Sequence, residues 1–115
     1  MKSNIINSIV EKYTYKIVWS EEDKEYVGLC LEFPSLSWLA KSQEAALIGI
    51  RKVVASAVAD MKKSGETPPV PLASRFYSGK FVVRVPPSVH RNLVIKAAEE
   101  GVSLNRLISA RLLGI

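Results

Sequence analysis

The spacing of apolar positions changes along the chain, and each change predicts an element. Residues 1–11 carry Ile5, Ile6, Ile9 and Val10 without a firm period, which fits a short helix or a loosely held arm. Tyr13 to Trp19 is rich in aromatic and β-branched residues and predicts a strand. The polar turn Ser20-Glu21-Glu22-Asp23-Lys24 returns the chain into a second strand, Glu25 to Phe33. Pro34-Ser35 interrupts it, and Leu36 to Ala40 predicts a short third strand.

From there the period lengthens. Ser42 is placed to cap a helix, with Glu44 in its first turn complementing the helix dipole. Leu47, Ile50, Val53, Val54, Ala57, Val58 and Met61 recur every three or four residues, one stripe over about five turns. Lys62, Lys63 and then Gly65 supply a C-terminal stop. A three-strand meander covered by one helix is the simplest α+β arrangement for this half. Residues 66–71 hold three of the six prolines and no period, so they predict a linker or an extended segment along the first domain. Leu72 to Ser78 fits either a further strand or the rest of the connection. The division expected is residues 1–70, a connection over 71–79, and a second module over 80–115.

That second module opens on Lys80-Phe81-Val82-Val83-Arg84-Val85-Pro86. At a period of two, Phe81, Val83 and Val85 share one face, and Lys80, Val82 and Arg84 the other. Pro86 ends the strand. A helix over about 88–100 has Val89, Leu93, Ala97 and Ala98 inside, and Gly101 lets the chain turn. Ser103 caps a last helix whose inner positions are Leu104, Leu107, Ile108 and Leu112. One strand and two helices are too little to bury a core, and a lone strand leaves its backbone unpaired. Pairing two chains solves both problems. The dimer core would then hold Phe81, Val83, Val85, Leu93, Leu104, Leu107 and Ile108.

Charge sharpens the picture. Residues 1–65 hold nine Lys/Arg against eight Asp/Glu, whereas residues 66–115 hold seven against three, so the net +5 is concentrated as +4 in the shorter part. A polyanion bound at the C-terminal end is the partner this favours. On the outer face of a two-stranded ribbon, Lys80 and Arg84 would reach base edges or phosphates in the DNA major groove, with Val82 against a thymine methyl. The N-terminus of the last helix, at Ser103, Leu104 and Asn105, offers free N–H groups suited to a phosphate. Arg75, Arg91, Lys96, Arg106 and Arg111 read as solvated charges.

Catalysis finds little support. A single histidine, His90, cannot build a two-histidine metal site or relay within one chain. The lone Cys30 lies in an apolar strand and reads as a buried, inert thiol. Glu21, Glu22, Asp23 and Glu25 crowd one hairpin turn, and no glycine-rich phosphate loop appears. No catalytic residue, metal or cofactor is expected. Trp19, Tyr26, Phe33 and Trp38 read mostly as core. No apolar run approaches the ~20 residues of a membrane span. The N-terminus lacks a secretion signal, and a single cysteine suits a reducing cytoplasm.

Two stretches carry a family likeness. Gly79 to Leu113 resembles a ribbon-helix-helix DNA-binding module of the Arc- and MetJ-like class. Tyr26 to Pro69, with Gly28-Leu29-Cys30-Leu31-Glu32-Phe33-Pro34-Ser35-Leu36 and Ser42-Gln43-Glu44-Ala45-Ala46, is similar to the N-terminal domain of HicB antitoxins. The resemblance implies a truncated ribonuclease-H-like topology and a toxin partner of the HicA type, an mRNA-cleaving ribonuclease. It also implies a C-terminal homodimer, or a tetramer built from it, that represses its own operon at a palindromic operator. Val82 departs from the better-known members, in which a polar residue commonly stands there. Two other readings fit the same residues. One is a stand-alone repressor with an N-terminal sensor or oligomerisation domain, and the other is an interaction module without a DNA role.

Overall fold

The computed structural model describes residues 2–114, with side chains from Ile6 onward. Met1 and Ile115, the outer ends of the first and last expected segments, lie outside the described residues, as does the Ile5 side chain. The architecture is α+β, with a three-stranded antiparallel sheet and four α-helices. Two compact units divide it, Met1–Tyr77 and Ser78–Ile115.

The first unit begins with helix α1 (Lys2–Lys12), where the sequence left helix or arm open. Strands β1 (Tyr15–Ser20), β2 (Glu25–Cys30) and β3 (Ser37–Ala40) follow in the spatial order β1-β2-β3. All three strands are shorter than the sequence predicts. Tyr13 does not join β1. Its ring is buried and meets Phe33 edge-on, with centroids 5.3 Å apart. β2 ends at Cys30 because the backbone then turns back on itself, through bonds from Phe33 N to Cys30 O and from Leu36 N to Phe33 O. No fourth strand joins the sheet among the described residues, and Leu72–Ser74 is a single 3-10 turn.

Helix α2 (Gln43–Lys63) lies across one sheet face. Ser42 caps it, its hydroxyl accepting from Ala45 N at 3.1 Å, as the sequence predicts. The buried face comprises Ala46, Gly49, Ile50, Val54 and Val58. It is rotated from the expected stripe, which omitted Ala46 and Gly49 and counted Leu47, a residue left at the exposed margin. Glycine sets this geometry. A Cβ on Gly28 would stand 2.5 Å from Ala46 O, so the helix backbone rests directly on β2. A Cβ on Gly49 would fall 2.0 Å from the Trp38 ring, which lies over the helix there. Val10, Tyr13, Cys30, Ile50, Val54 and Val58 form the core, with Ile6, Ile9, Tyr15, Phe33 and Leu36 packed around it.

The two tryptophans correct an expectation. Trp19 and Trp38 are 47% and 46% exposed, not core. Each stands on an edge strand, where only one side has a neighbour. Trp19 packs edge-on against Tyr26 and donates Nε1–H to Glu21 at 2.7 Å.

The second unit contains α3 (Pro87–Glu100) and α4 (Leu104–Leu112). Gly101 adopts the left-handed conformation at φ 69°, and Val102 N bonds back to Ala97 O at 3.0 Å, which turns the chain between them. Ser103 caps α4, accepting from Arg106 N at 3.1 Å. Residues 80–85 form neither strand nor helix, contrary to the sequence expectation. The reason is pairing: this unit holds no other strand, so the segment has no ladder to join. No helix among the described residues is long and apolar enough to cross a membrane.

Candidate nucleic-acid interface

The second unit presents its chemistry without a core. Among its described residues, only Ala97 and Leu107 are buried. Of the helix positions expected inside, Leu93, Leu104 and Ile108 are half-buried, whereas Val89, Ala98 and Leu112 are exposed. The apolar flank of the opening segment, expected to face inward, faces water in the single chain. Phe81 is 72% exposed and Val83 65%, and Val85 is also exposed.

These side chains nevertheless converge. An open groove of about 890 Å³ is lined by Phe81, Val83 and Val85 from the segment, His90 and Leu93 from α3, and Leu104, Ile108 and Leu112 from α4. Six of the seven residues expected to form a dimer core therefore share one depression. The seventh, Leu107, is buried. His90 is exposed at the groove, as its outer position on the helix implies.

The expected DNA-facing residues divide. Val82 is 91% exposed and lies outside the groove lining, on its own side of the segment. Lys80 and Arg84 are exposed but border the groove beside the apolar residues, so the two-faced alternation is incomplete in the single chain. Local bonding is sparse: Ser78 Oγ accepts from Lys80 N at 3.1 Å, and Gly79 at φ 84° takes a conformation that favours glycine. At α4, Ser103 satisfies Arg106 N and leaves the N–H groups of Leu104 and Asn105 without an intrahelical acceptor. Their position at the positive end of the dipole suits an anion. Asn105 also borders the groove.

Charge on this unit is unopposed. Lys80, Arg84, Arg91, Lys96, Arg106 and Arg111 stand against Glu99 and Glu100, and all are exposed. Among the described residues, no ion pair engages any of these basic groups. The three ion pairs present are Lys24–Glu21, Lys41–Glu25 and Arg51–Glu11, all in the first unit.

The first unit holds little that resembles catalytic machinery. Burial pushes the Cys30 thiol up to about 11, so it stays protonated at neutral pH. No group of three or more His, Cys, Asp or Glu among the described residues could hold a metal ion. The acidic hairpin closes on itself, through Glu21 with Lys24 and Trp19, and Ser20 with Asp23.

Sequence reasoning gave Glu32 no role of its own. Its carboxylate accepts from Thr14 N at 2.9 Å, Thr14 Oγ1 at 3.1 Å and Leu72 N at 2.9 Å, with Cys30 Sγ at 3.6 Å. Burial alone would raise its pKa, but the bonds from Leu72 and Thr14 outweigh that and hold it below the ordinary value. Nothing local signals this role, since its partners lie 18 and 40 residues away.

No curated protein and no solved structure matches this chain. A family model does match residues 63–112, a span that runs from the last residue of α2 through the connection to the end of α4 and leaves residues 1–62 outside. The model that matches there is that of the HicB family.

Proposed function

We propose that this protein is the antitoxin of a HicB-type pair and represses its own operon as a ribbon-helix-helix dimer. Residues 80–85 of two chains pair as antiparallel strands, and the groove beside them closes against its copy. Lys80, Val82 and Arg84 then project from the ribbon into the major groove, where arginine can hold guanine O6 and N7. The N-terminus of α4, at Ser103, Leu104 and Asn105, receives a backbone phosphate. Two-fold symmetry calls for a palindromic operator. The first unit covers a HicA-like toxin.

One observation carries this reading. A 38-residue unit, Ser78–Ile115, buries only two apolar side chains among its described residues and exposes Phe81, Val83 and Val85 around an apolar groove. Such a surface is unstable alone and becomes ordinary once a second copy covers it. The unopposed basic charge and the HicB match supply the rest.

Titration of the chain's own promoter DNA in a gel-shift assay is the test. Arg84→Ala is expected to weaken binding by roughly 5- to 150-fold, the loss of one base-reading contact worth about 1–3 kcal/mol, while sedimentation still shows a dimer. Unchanged affinity would remove this strand from the groove. Wild-type affinity should also fall with salt, at a log–log slope of about 0.9 per phosphate neutralised.

A further inference from the structure

Residues 66–78 read from sequence as a linker, an extended segment along the first domain or, from Leu72, a further strand, and the structure fastens most of them down. Glu32 reaches across the end of the sheet. One carboxylate oxygen accepts from Thr14 N, while the other accepts from both Thr14 Oγ1 and Leu72 N. Three residues upstream of Leu72, Pro69 O accepts from the buried Tyr13 hydroxyl at 2.8 Å. Pro71 is buried between these two anchor points. Beyond them the segment folds on itself: Ser74 N bonds to Pro71 O, Arg75 Nε to Val70 O, and Tyr77 OH to Leu72 O.

We propose that Glu32 is a latch that straps residues 69–77 onto the first unit and so removes them from the tether to the second. With the latch closed, the strapped segment leads directly into the second unit at Ser78. With it open, residues 65–77 add thirteen residues, and a flexible chain of that length has a root-mean-square reach of about 20 Å. The latch therefore sets the effective concentration at which a site on one unit meets a ligand held by the other. The carboxylate is the chemistry that does this. Two acceptor oxygens serve three N–H and O–H donors drawn from two remote segments, and a neutral amide cannot replace it. An asparagine- or glutamine-type side chain keeps one acceptor and turns an NH2 toward a donor.

The latch lies within the first unit, so it stands or falls independently of DNA binding. Hydrogen exchange on the full-length chain tests it. In the wild type the Leu72 amide should be protected. In Glu32→Gln it should exchange at least about tenfold faster, the loss of a charge-assisted bond, with the Val54 and Val58 amides in α2 unchanged. A Leu72 amide unprotected in the wild type, or equally protected in Glu32→Gln, overturns the proposal. Should Glu32→Gln also loosen α2, Tyr13→Phe decides, because it removes only the bond to Pro69 and keeps the buried ring. Faster exchange at Leu72 with α2 intact then supports the latch. Unchanged protection also supports it, because Glu32 then holds the strap alone, whereas strap and helix loosening together overturn it.

Discussion

Replacing Gly28 by alanine should cost more stability than the same change at Gly49, although the second creates the shorter contact. A Cβ on Gly28 meets Ala46 O at 2.5 Å and the Ile50 side chain at 3.0 Å. The nearest of these atoms is backbone in the first turn of a packed helix, so that end of α2 must lift from the sheet. Forced overpacking of this kind costs about 1–3 kcal/mol. Removing a strand glycine returns about 0.5–1 kcal/mol by restricting the unfolded chain. The net loss is about 1 kcal/mol and at most about 2.5 kcal/mol, which for a unit of this size lowers Tm by roughly 4–20 °C. At Gly49 the atoms nearest the new Cβ all belong to the Trp38 ring, 2.0 Å away, and Trp38 is 46% exposed, with room to swing outward. Mid-helix glycine to alanine also gains about 1 kcal/mol in helix propensity, so Gly49→Ala should lie near neutral. Both tryptophans belong to this unit, which makes urea unfolding followed by tryptophan fluorescence a local assay. A Gly28→Ala protein as stable as Gly49→Ala, or more so, would refute the close seating of α2 on β2.

Other expectations follow from the same coordinates. Phe81→Ala should weaken dimerisation: burying a phenylalanine is worth about 1.5–3 kcal/mol, Phe81 is 72% exposed, and symmetry counts it twice. A combined loss of about 2–4 kcal/mol raises the dimer Kd roughly 30- to 700-fold, measurable by sedimentation equilibrium, and an unchanged Kd would exclude Phe81 from the interface. The stability contributed by Glu32 should be acid-labile. Its folded pKa lies below the ordinary 4.5, so its contribution is complete above that value and is lost as pH falls through the depressed one. Acid unfolding of Glu32→Gln should therefore show a shallower pH dependence than wild type below pH 4.5, and identical profiles would remove Glu32 from the linkage.

Local signals in this chain were legible from sequence wherever the residue and its partner are neighbours. Ser42 and Ser103 cap the helices expected of them, and Gly101 turns the chain, because capping bonds reach only three residues. The order of three strands and the long helix was legible too, since period and turn residues agree. What failed depended on distant surroundings. Hydrophobicity alone places Trp19 and Trp38 inside, but their edge-strand positions leave them half-exposed. Ala46 and Gly49 escaped notice because small residues add little to an apolar stripe, yet they mark where backbone approaches backbone. Glu32 looked isolated because its partners are far along the chain. The segment 80–85 has the composition of a strand and forms none in one chain, since a strand is a property of a pair.

That pairing is the claim on which the DNA-binding reading rests, and isotope-filtered NMR addresses it directly. In a dimer mixed from 13C,15N-labelled and unlabelled chains, the account predicts intermolecular NOEs between the Phe81, Val83 and Val85 side chains and their counterparts, with slowly exchanging amides across 80–85. A chain that stays monomeric at NMR concentrations, or a dimer with no intermolecular NOE from these three residues, would contradict it.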